Sequence, residues 1–211
     1  MKKNKISKNW LNKQRRDVYF KKSKVQGYRS RSAFKLIEMN NKFKFLKKNT
    51  LLLDLGSSPG GWSQVARKII KNGEILAVDI KAMEKIKDVN FINEDFSKEE
   101  THKKIINHFK FKIDVVLSDM AVNTSGNKNL DSYKTGELCL KSMDLASQIL
   151  NKDGVFLSKF FMGTIFHEIK EKASKCFRKV INYKPLSSKK ESKEIYIYCS
   201  GVLKSFDFHN L

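Results

Sequence analysis

NTLLLDLGSSPGGWSQ, residues 49–64, passes from a run of leucines through a glycine-rich turn into a helical pattern. A short continuous apolar run closed by glycine suits a strand covered on both faces, and this one ends at Gly56. Pro59 biases Ser58 to extended backbone. Gly60 and Gly61 allow positive φ and close approach of another group to the main chain. GGWSQVARKIIKNG, residues 60–73, then reads as a helix closed by Asn72-Gly73. A strand, a small-residue turn and a helix in that order form the opening unit of an alternating α/β sheet.

The rest of the chain extends the pattern outward. Before this unit, SRSAFKLIEMNNKF (30–43) has helical apolar spacing through Phe34, Ile37 and Met39, with Ser30 or Ser32 as its cap. After it, EILAVDI is a second strand ending in Asp79 and VNFINEDF a third ending in Asp95. KEETHKKIINHF is a helix, IDVVLSDM a fourth strand, and NTSGNKN a polar loop. Residues 130–150 form a long amphipathic helix, GVFLSKFF (154–161) a fifth strand, and 164–177 a further helix. KVINYK and EIYIYCSGVL are two last strands around the polar loop PLSSKKESK, close enough in sequence to pair as an antiparallel hairpin. The spacing predicts an open, mostly parallel sheet of seven strands with helices on both faces. Such sheets take ligands outside the carboxyl ends of their strands. There is no internal repeat and no linker for a second folded unit, so the chain divides into a basic arm, 1–28, and one domain, 29–211.

Charge separates the two parts. The 211 residues carry 43 Lys and Arg against 22 Asp and Glu, a formal net charge of +21. Residues 1–48 hold 17 of the basic residues and only two acids, Asp17 and Glu38. A basic arm on a folded domain points to a polyanion, and nucleic acid fits the asymmetry better than a lysine-rich surface that serves solubility alone. No stretch approaches the roughly 20 apolar residues of a membrane span, and the N-terminal segment has no apolar signal core. Cys139, Cys176 and Cys199 are too scattered for a disulfide framework and read as ordinary buried thiols in a reducing, cytoplasmic setting. The histidines show no metal-ligand spacing, so no metal is expected.

The turn at 56–61 lacks both the G-x-G-x-x-G spacing of dinucleotide folds and the Gly-Lys-Ser/Thr of a P-loop. Asp54 at the strand end would repel a phosphate but tolerate an α-amino group or a sulfonium. Asp79 is placed to accept from ribose hydroxyls, and Asp95 from an adenine amino group. Acids closing the first three strands therefore point to S-adenosylmethionine. Each acid taken singly is equally compatible with a solvated position or a cap on the next helix.

GVFLSKFF raises a separate question. Lysine is almost never buried unless it is paired or used, yet Lys159 sits inside an apolar strand pattern.

YRSRSAFKL, DLGSSPGGWSQ, LSDMAVNTSG, LSKFF and SKEIYIY occur in order along nearly the whole chain. Together they resemble the FtsJ/RrmJ family of ribose 2′-O-methyltransferases, most closely its bacterial members acting on ribosomal RNA. The resemblance implies a Rossmann-like, S-adenosylmethionine-dependent fold and a catalytic tetrad of Lys35, Asp119, Lys159 and Glu194, with Lys159 as proton acceptor. It also implies cofactor contacts in the 54–62 turn (Asp54, Gly56, Pro59, Gly60, Gly61, Trp62) and at Asp79, Asp95 and Asp119. Val122 departs from the family, which usually has proline there, and loosens the expected order of the loop after Asp119.

The chemistry suits these residue types. A ribose hydroxyl is a poor nucleophile and must shed its proton as it attacks an already activated methyl group. A lysine flanked by Leu157 and Phe160 and near a second ammonium is a candidate general base, with carboxylates orienting it. The commonplace alternatives are a solvated helical lysine at 35, a turn acid at 119 and an edge-strand acid at 194. Lys13, Arg15, Arg16, Lys21, Lys22, Lys24, Arg29 and Arg31 are expected to meet RNA phosphates. Tyr28 would stack on a base or anchor the arm. The implied activity is 2′-O-methylation of a uridine in the A loop of 23S RNA within the large ribosomal subunit, by a monomer. A transfer-RNA ribose methyltransferase and a non-catalytic RNA-binding assembly factor are the competing readings.

Overall fold

The computed structural model describes residues 17–122, 125–189 and 191–203. Among them the chain order is α1 (Val18–Val25), α2 (Ala33–Phe43), β1 (Leu52–Leu55), α3 (Gly61–Ile69), β2 (Ile75–Val78), β3 (Asn90–Ile92), α4 (Glu99–Phe109), β4 (Ile113–Ser118), α5 (Lys128–Ile149), β5 (Leu150–Phe161), α6 (Phe166–Cys176), β6 (Phe177–Tyr183) and β7 (Glu194–Val202). The strands form one sheet in the order β3-β2-β1-β4-β5-β7-β6. The first five run parallel, and β7 inserts antiparallel between β5 and β6.

Every residue of β1 is buried because strands lie on both edges of it and helices on both faces. Its side chains alternate between two cores. Leu53 and Leu55 join Leu76, Val116, Phe156 and Phe160 beneath α4, α5 and α6. Leu52 joins Ile75, Val115, Leu117, Leu157, Tyr196 and Tyr198 beneath α2 and α3. Period-two alternation then assigns the polar side chains as well. Asp54 falls on the α2/α3 face with Leu52, Lys159 with Leu157, and Glu194 with Tyr196.

The expected alternation and the closing antiparallel pair are both present. Three local expectations differ. Ser32 occupies the position preceding α2, but its hydroxyl bonds the Ser30 hydroxyl at 2.7 Å and caps no amide. The third strand stops at Ile92, three residues short of Asp95, because the chain turns there to start α4. Helix α3 ends at Ile69, before the expected Asn72-Gly73, as Ile70 turns extended.

Part of the basic arm is helical. Asp17 caps α1 by accepting from the Tyr19 and Phe20 amides at 3.0 and 3.2 Å. Helix α1 packs on α2 through Tyr19 against Phe34, ring centroids 5.5 Å apart. Tyr28 acts as an anchor here: it meets Phe34 edge-on at 5.7 Å and carries the Lys68 ammonium over its ring at 4.0 Å. Lys13, Arg15 and Arg16 lie outside the described residues. No described helix is long and apolar enough to cross a membrane. The described residues contain no cluster of three or more potential metal ligands.

Phe156 is fully buried in β5, its ring stacked on Phe177 at 6.1 Å. Phe156→Ala is expected to cost about 3–5 kcal/mol, read as a lower urea midpoint with an unchanged denaturant slope.

Candidate active site

A cleft of about 650 Å³ opens at the carboxyl ends of β1, β2 and β4. It is lined by Gly56, Asp79, Asp95 and Asp119 of the expected ligand residues, and by Glu94, Glu137, Lys134 and Lys141, which the strand-end reading passed over. A second, larger cleft of about 900 Å³ lies at the opposite end of the sheet, between residues 44–50 and the starts of β4 and β5. It holds none of the expected residues. The carboxyl-end cleft is where an open parallel sheet places its ligand, and it is where the acids converge.

Gly56 reaches this cleft because it has φ +73° and because a Cβ there would lie 2.9 Å from the Met120 backbone. The ends of β1 and β4 can therefore close on each other only with glycine at 56. Asp79 organises the neighbouring turns. Its carboxylate accepts from the Ser58 amide at 2.9 Å and the Lys81 amide at 2.7 Å. Asp95 accepts from the Ser97 amide and hydroxyl, both at 2.8 Å, and those bonds hold its carboxyl below the usual range. Each carboxylate keeps lone pairs for a ligand.

The remainder of the turn lies behind the cleft wall. Gly61 lets α3 start against the preceding segment, since a Cβ would sit 2.1 Å from Ser30 Oγ. Gly60, at φ +107°, makes room for Arg29 and Ile86. Pro59 is exposed, and its carbonyl accepts from Arg29 at 3.2 Å. Trp62 is buried, its indole N–H donating to the Ser32 carbonyl at 2.9 Å, so it ties α3 to the start of α2. Asp54 also lies below the surface. One of its oxygens accepts from the Ser63 hydroxyl at 2.6 Å, and the other is buried without a partner among the described residues. Burial pushes the Asp54 carboxyl up to about 7, against the pull of the Ser63 bond and with added repulsion from Asp119 and Asp79.

Beside the cleft, four residues from four elements meet on the α2/α3 face. Lys35 of α2 and Lys159 of β5 are each 8% exposed, which removes the solvated-helix alternative for Lys35. Lys159 Nζ pairs with Asp119 Oδ1 at 2.9 Å and also donates to the Asp119 carbonyl at 2.7 Å. Lys35 Nζ pairs with Glu194 Oε1 at 2.6 Å. Tyr196, directly opposite Lys159 in the β5–β7 register, donates its hydroxyl to Asp119 Oδ1 at 2.9 Å and lies 5.8 Å beneath the Lys35 ammonium. Burial would raise the Asp119 carboxyl. The charges of Lys159 and Lys35, with the bonds from Lys159 and Tyr196, outweigh it and hold Asp119 below the usual carboxylate range. Asp119 therefore stays ionised, lines the cleft and anchors the lysine. Tyr196 went unnoticed in the sequence; the alternation Glu194-x-Tyr196 was the signal available, because it puts both on one face.

The basic residues divide. Lys21, Lys22 and Lys24 are exposed on α1, with the Lys22 ammonium 5.2 Å from the Phe34 ring centre and that of Lys24 5.8 Å from Phe20. Arg29 and Arg31 depart from the expected phosphate role. Arg29 donates to the Glu84 and Lys85 carbonyls at 2.6 and 3.0 Å. Arg31 pairs with Asp17 and donates to the Ser187 carbonyl at 2.5 Å. The Arg29 guanidinium ties the start of the domain to residues 59 and 84–85, and the Arg31 guanidinium holds the arm to the domain through Asp17.

Comparison with known proteins agrees with this geometry. The FtsJ-like methyltransferase family model matches residues 28–202. A ribosomal RNA large subunit methyltransferase E of Pelagibacter ubique is 50% identical over 199 residues, 94% of this chain and 98% of that protein. A Plasmodium falciparum structure assigned as a ribosomal RNA methyltransferase superposes with a TM-score of 0.76 at 36% identity, covering 83% of this chain and 99% of that one. A Streptococcus mutans protein assigned as a methyltransferase, solved in complex with SAH, has a TM-score of 0.53 at 15% identity over 78% of this chain and 96% of that one, a likeness of fold alone. Fold and site together define a methyltransferase built on a Rossmann-like sheet. The chain belongs to the FtsJ-like methyltransferase family.

The buried Asp54 has a measurable consequence. Its folded pKa of about 7 lies above the ordinary value of 3.8, so the native state holds that proton more tightly than the unfolded chain. Its contribution is full below about pH 4 and is lost as pH rises through about 7. Asp54→Asn is therefore expected to melt higher relative to wild type at pH 8 than at pH 5, as followed by thermal denaturation without ligand.

Proposed function

We propose that this chain uses S-adenosylmethionine to methylate the 2′-hydroxyl of a uridine ribose in the A loop of 23S ribosomal RNA, in the assembled large subunit. It acts as a cytoplasmic monomer. The observation that carries the reading is the double use of Asp119, which faces the cleft and holds Lys159.

The residues fit the cofactor. The acids at 79, 95 and 119 line the carboxyl-end cleft, with the unpartnered Asp54 oxygen buried beneath the turn, and give it negative potential suited to a cationic ligand bearing ribose and adenine. Asp79 and Asp95 would hold the nucleoside, and Asp119 would lie toward the cationic end. When bound, S-adenosylmethionine supplies a methyl group already activated on a sulfonium sulfur.

Lys159 removes the proton of the attacking hydroxyl. Two positions around its nitrogen are directed at Asp119, one toward the carbonyl and one toward Oδ1. The Lys159 ammonium must first release a proton to solvent; the amine that results keeps two N–H bonds for those acceptors and one lone pair for the hydroxyl proton. Asp119 and Tyr196 orient that lone pair, while Glu194 neutralises Lys35 and prevents two adjacent ammonium groups from standing unpaired. Lys35 steadies the negative charge that grows on the ribose oxygen. The exposed lysines of α1 hold the phosphate backbone without reading bases. The ribosomal reading rests on the names of the similar proteins and on the excess of positive charge.

The test offers wild type and Lys159→Ala labelled S-adenosylmethionine with purified large subunits, naked 23S RNA or transfer RNA, and maps the mark by primer extension. Wild type should label the large subunit at one A-loop uridine. Lys159→Ala should lose roughly 10²–10⁴-fold in rate while binding the cofactor as wild type does. Label confined to transfer RNA, or absent from all three RNAs with folded, cofactor-bound wild type, rejects the proposal.

A further inference from the structure

The acids of the chain's basic first quarter are only Asp17 and Glu38, and Glu38 takes no part in the tetrad. It instead gathers the connection between β6 and β7. One carboxylate oxygen accepts from the Tyr183 hydroxyl at 2.6 Å and the Leu186 amide at 2.7 Å. The other accepts from the Ser187 amide at 3.1 Å and the Ser187 hydroxyl at 3.0 Å. Burial acts to raise the Glu38 carboxyl, yet these four bonds hold it below the usual range.

The spacing along the chain shows what the clasp holds. Lys35 and Glu38 are three residues apart on one stripe of α2, and Arg31 lies in the turn just before that helix. All three reach the same connection: Arg31 to the Ser187 carbonyl, Lys35 to Glu194 at the first position of β7, and Glu38 to residues 183–187. Lys184 closes the loop on itself by donating to the Ser192 carbonyl at 2.7 Å. Arg31 also pairs with Asp17, the cap of α1. The start of α2 and the turn before it thus join the basic helix, the loop and the catalytic Lys35–Glu194 pair. Leu186 stands 85% exposed at the loop's tip, although it follows a tightly held segment. The four bonds seat Ser187 against the domain while the neighbouring Leu186 side chain points outward.

We infer that Glu38 is a positioning residue: it fixes residues 184–188 as a lip beside the Lys35–Glu194 pair, and this lip receives the RNA strand as it continues from the α1 lysines past the target ribose. The inference rests on the reading of Lys35, Asp119, Lys159 and Glu194 as the methyl-transfer centre. A carboxylate is suited to the role because it accepts several bonds through two equivalent oxygens, whereas an amide offers one acceptor oxygen and presents donors to donors.

The experiment compares wild type, Glu38→Gln and the double variant Tyr183→Phe/Ser187→Ala, which removes the bonds from the loop side and keeps Glu38. Three quantities are read: steady-state methylation of large subunits, amide exchange at Leu186 and Ser187, and tryptic cleavage after Lys189 and Lys193. Both variants should raise the KM for RNA about tenfold, the size expected for losing a hydrogen bond to a charged group, with the KM for S-adenosylmethionine within twofold of wild type. Exchange at the two amides and cleavage in the loop should quicken. A KM for RNA within twofold of wild type in the double variant overturns the inference, as does unchanged amide exchange in Glu38→Gln. If wild type labels no RNA, the methyl-transfer reading falls, while the exchange and cleavage measurements still decide whether Glu38 clasps the loop.

Discussion

A buried ammonium needs a partner, and in this molecule the partner is Asp119. Lys159 is held by the side chain and the main-chain carbonyl of that one residue. Breaking such a pair strands a charge away from water at a cost of several kcal/mol, so the position of β5 against the end of β4 is fixed by it. Asp119 in turn stays ionised because two lysines and a tyrosine hydroxyl surround it. The arrangement sets the geometry of the site: the residue facing the cleft and the lysine proposed as the base are bonded to each other.

The same site contains the opposite electrostatic choice. Asp54 lies one strand away on the same face, fully buried, with a single neutral hydrogen bond and no cation. Its carboxyl is pushed toward neutrality where Asp119 is held charged. Two acids at the ends of adjacent strands therefore behave differently, and the cause is the company each keeps. A cleft lined by acids, with a buried carboxyl beneath it, favours a ligand bearing positive charge, which is the physical basis for the cofactor proposed.

Much of the fold was legible because the signals were local. Leucine runs closed by glycine marked β1, apolar runs after Asp-Gly and Asn-Gly marked β5 and β2, and the helices between them followed from period. Local signals also misled. Asp95 was read as a strand end because VNFINEDF is continuous in character, whereas pairing with β2 extends only to Ile92. Trp62 and the paired glycines, expected through the family resemblance to contact the cofactor, also serve the packing of α3 on the segment before α2. Arg29 and Arg31 looked like two more members of a basic arm, and nothing in their neighbours distinguished them from Lys21 or Lys24. Their main-chain partners are carbonyls 30 to 156 positions away, and Arg31 also pairs with the Asp17 carboxylate.

From the sequence alone came the class of sheet and, as expectations, a ligand at the carboxyl end of its strands, a polyanion partner and, through motif resemblance, the four residues that the structure brings together at 35, 119, 159 and 194. Composition and periodicity carry that much because burial imposes them on every strand and helix. Which lysine pairs with which acid, the place of Tyr196 beside Asp119, the uneven fates of Asp54 and Asp119, and the clasp at Glu38 came only with the tertiary structure. Those depend on β7 inserting between β5 and β6 and on α2 crossing above it. Contacts between residues 35 and 194, or 38 and 187, join elements at opposite ends of the chain, and no local pattern in the sequence encodes such a distance.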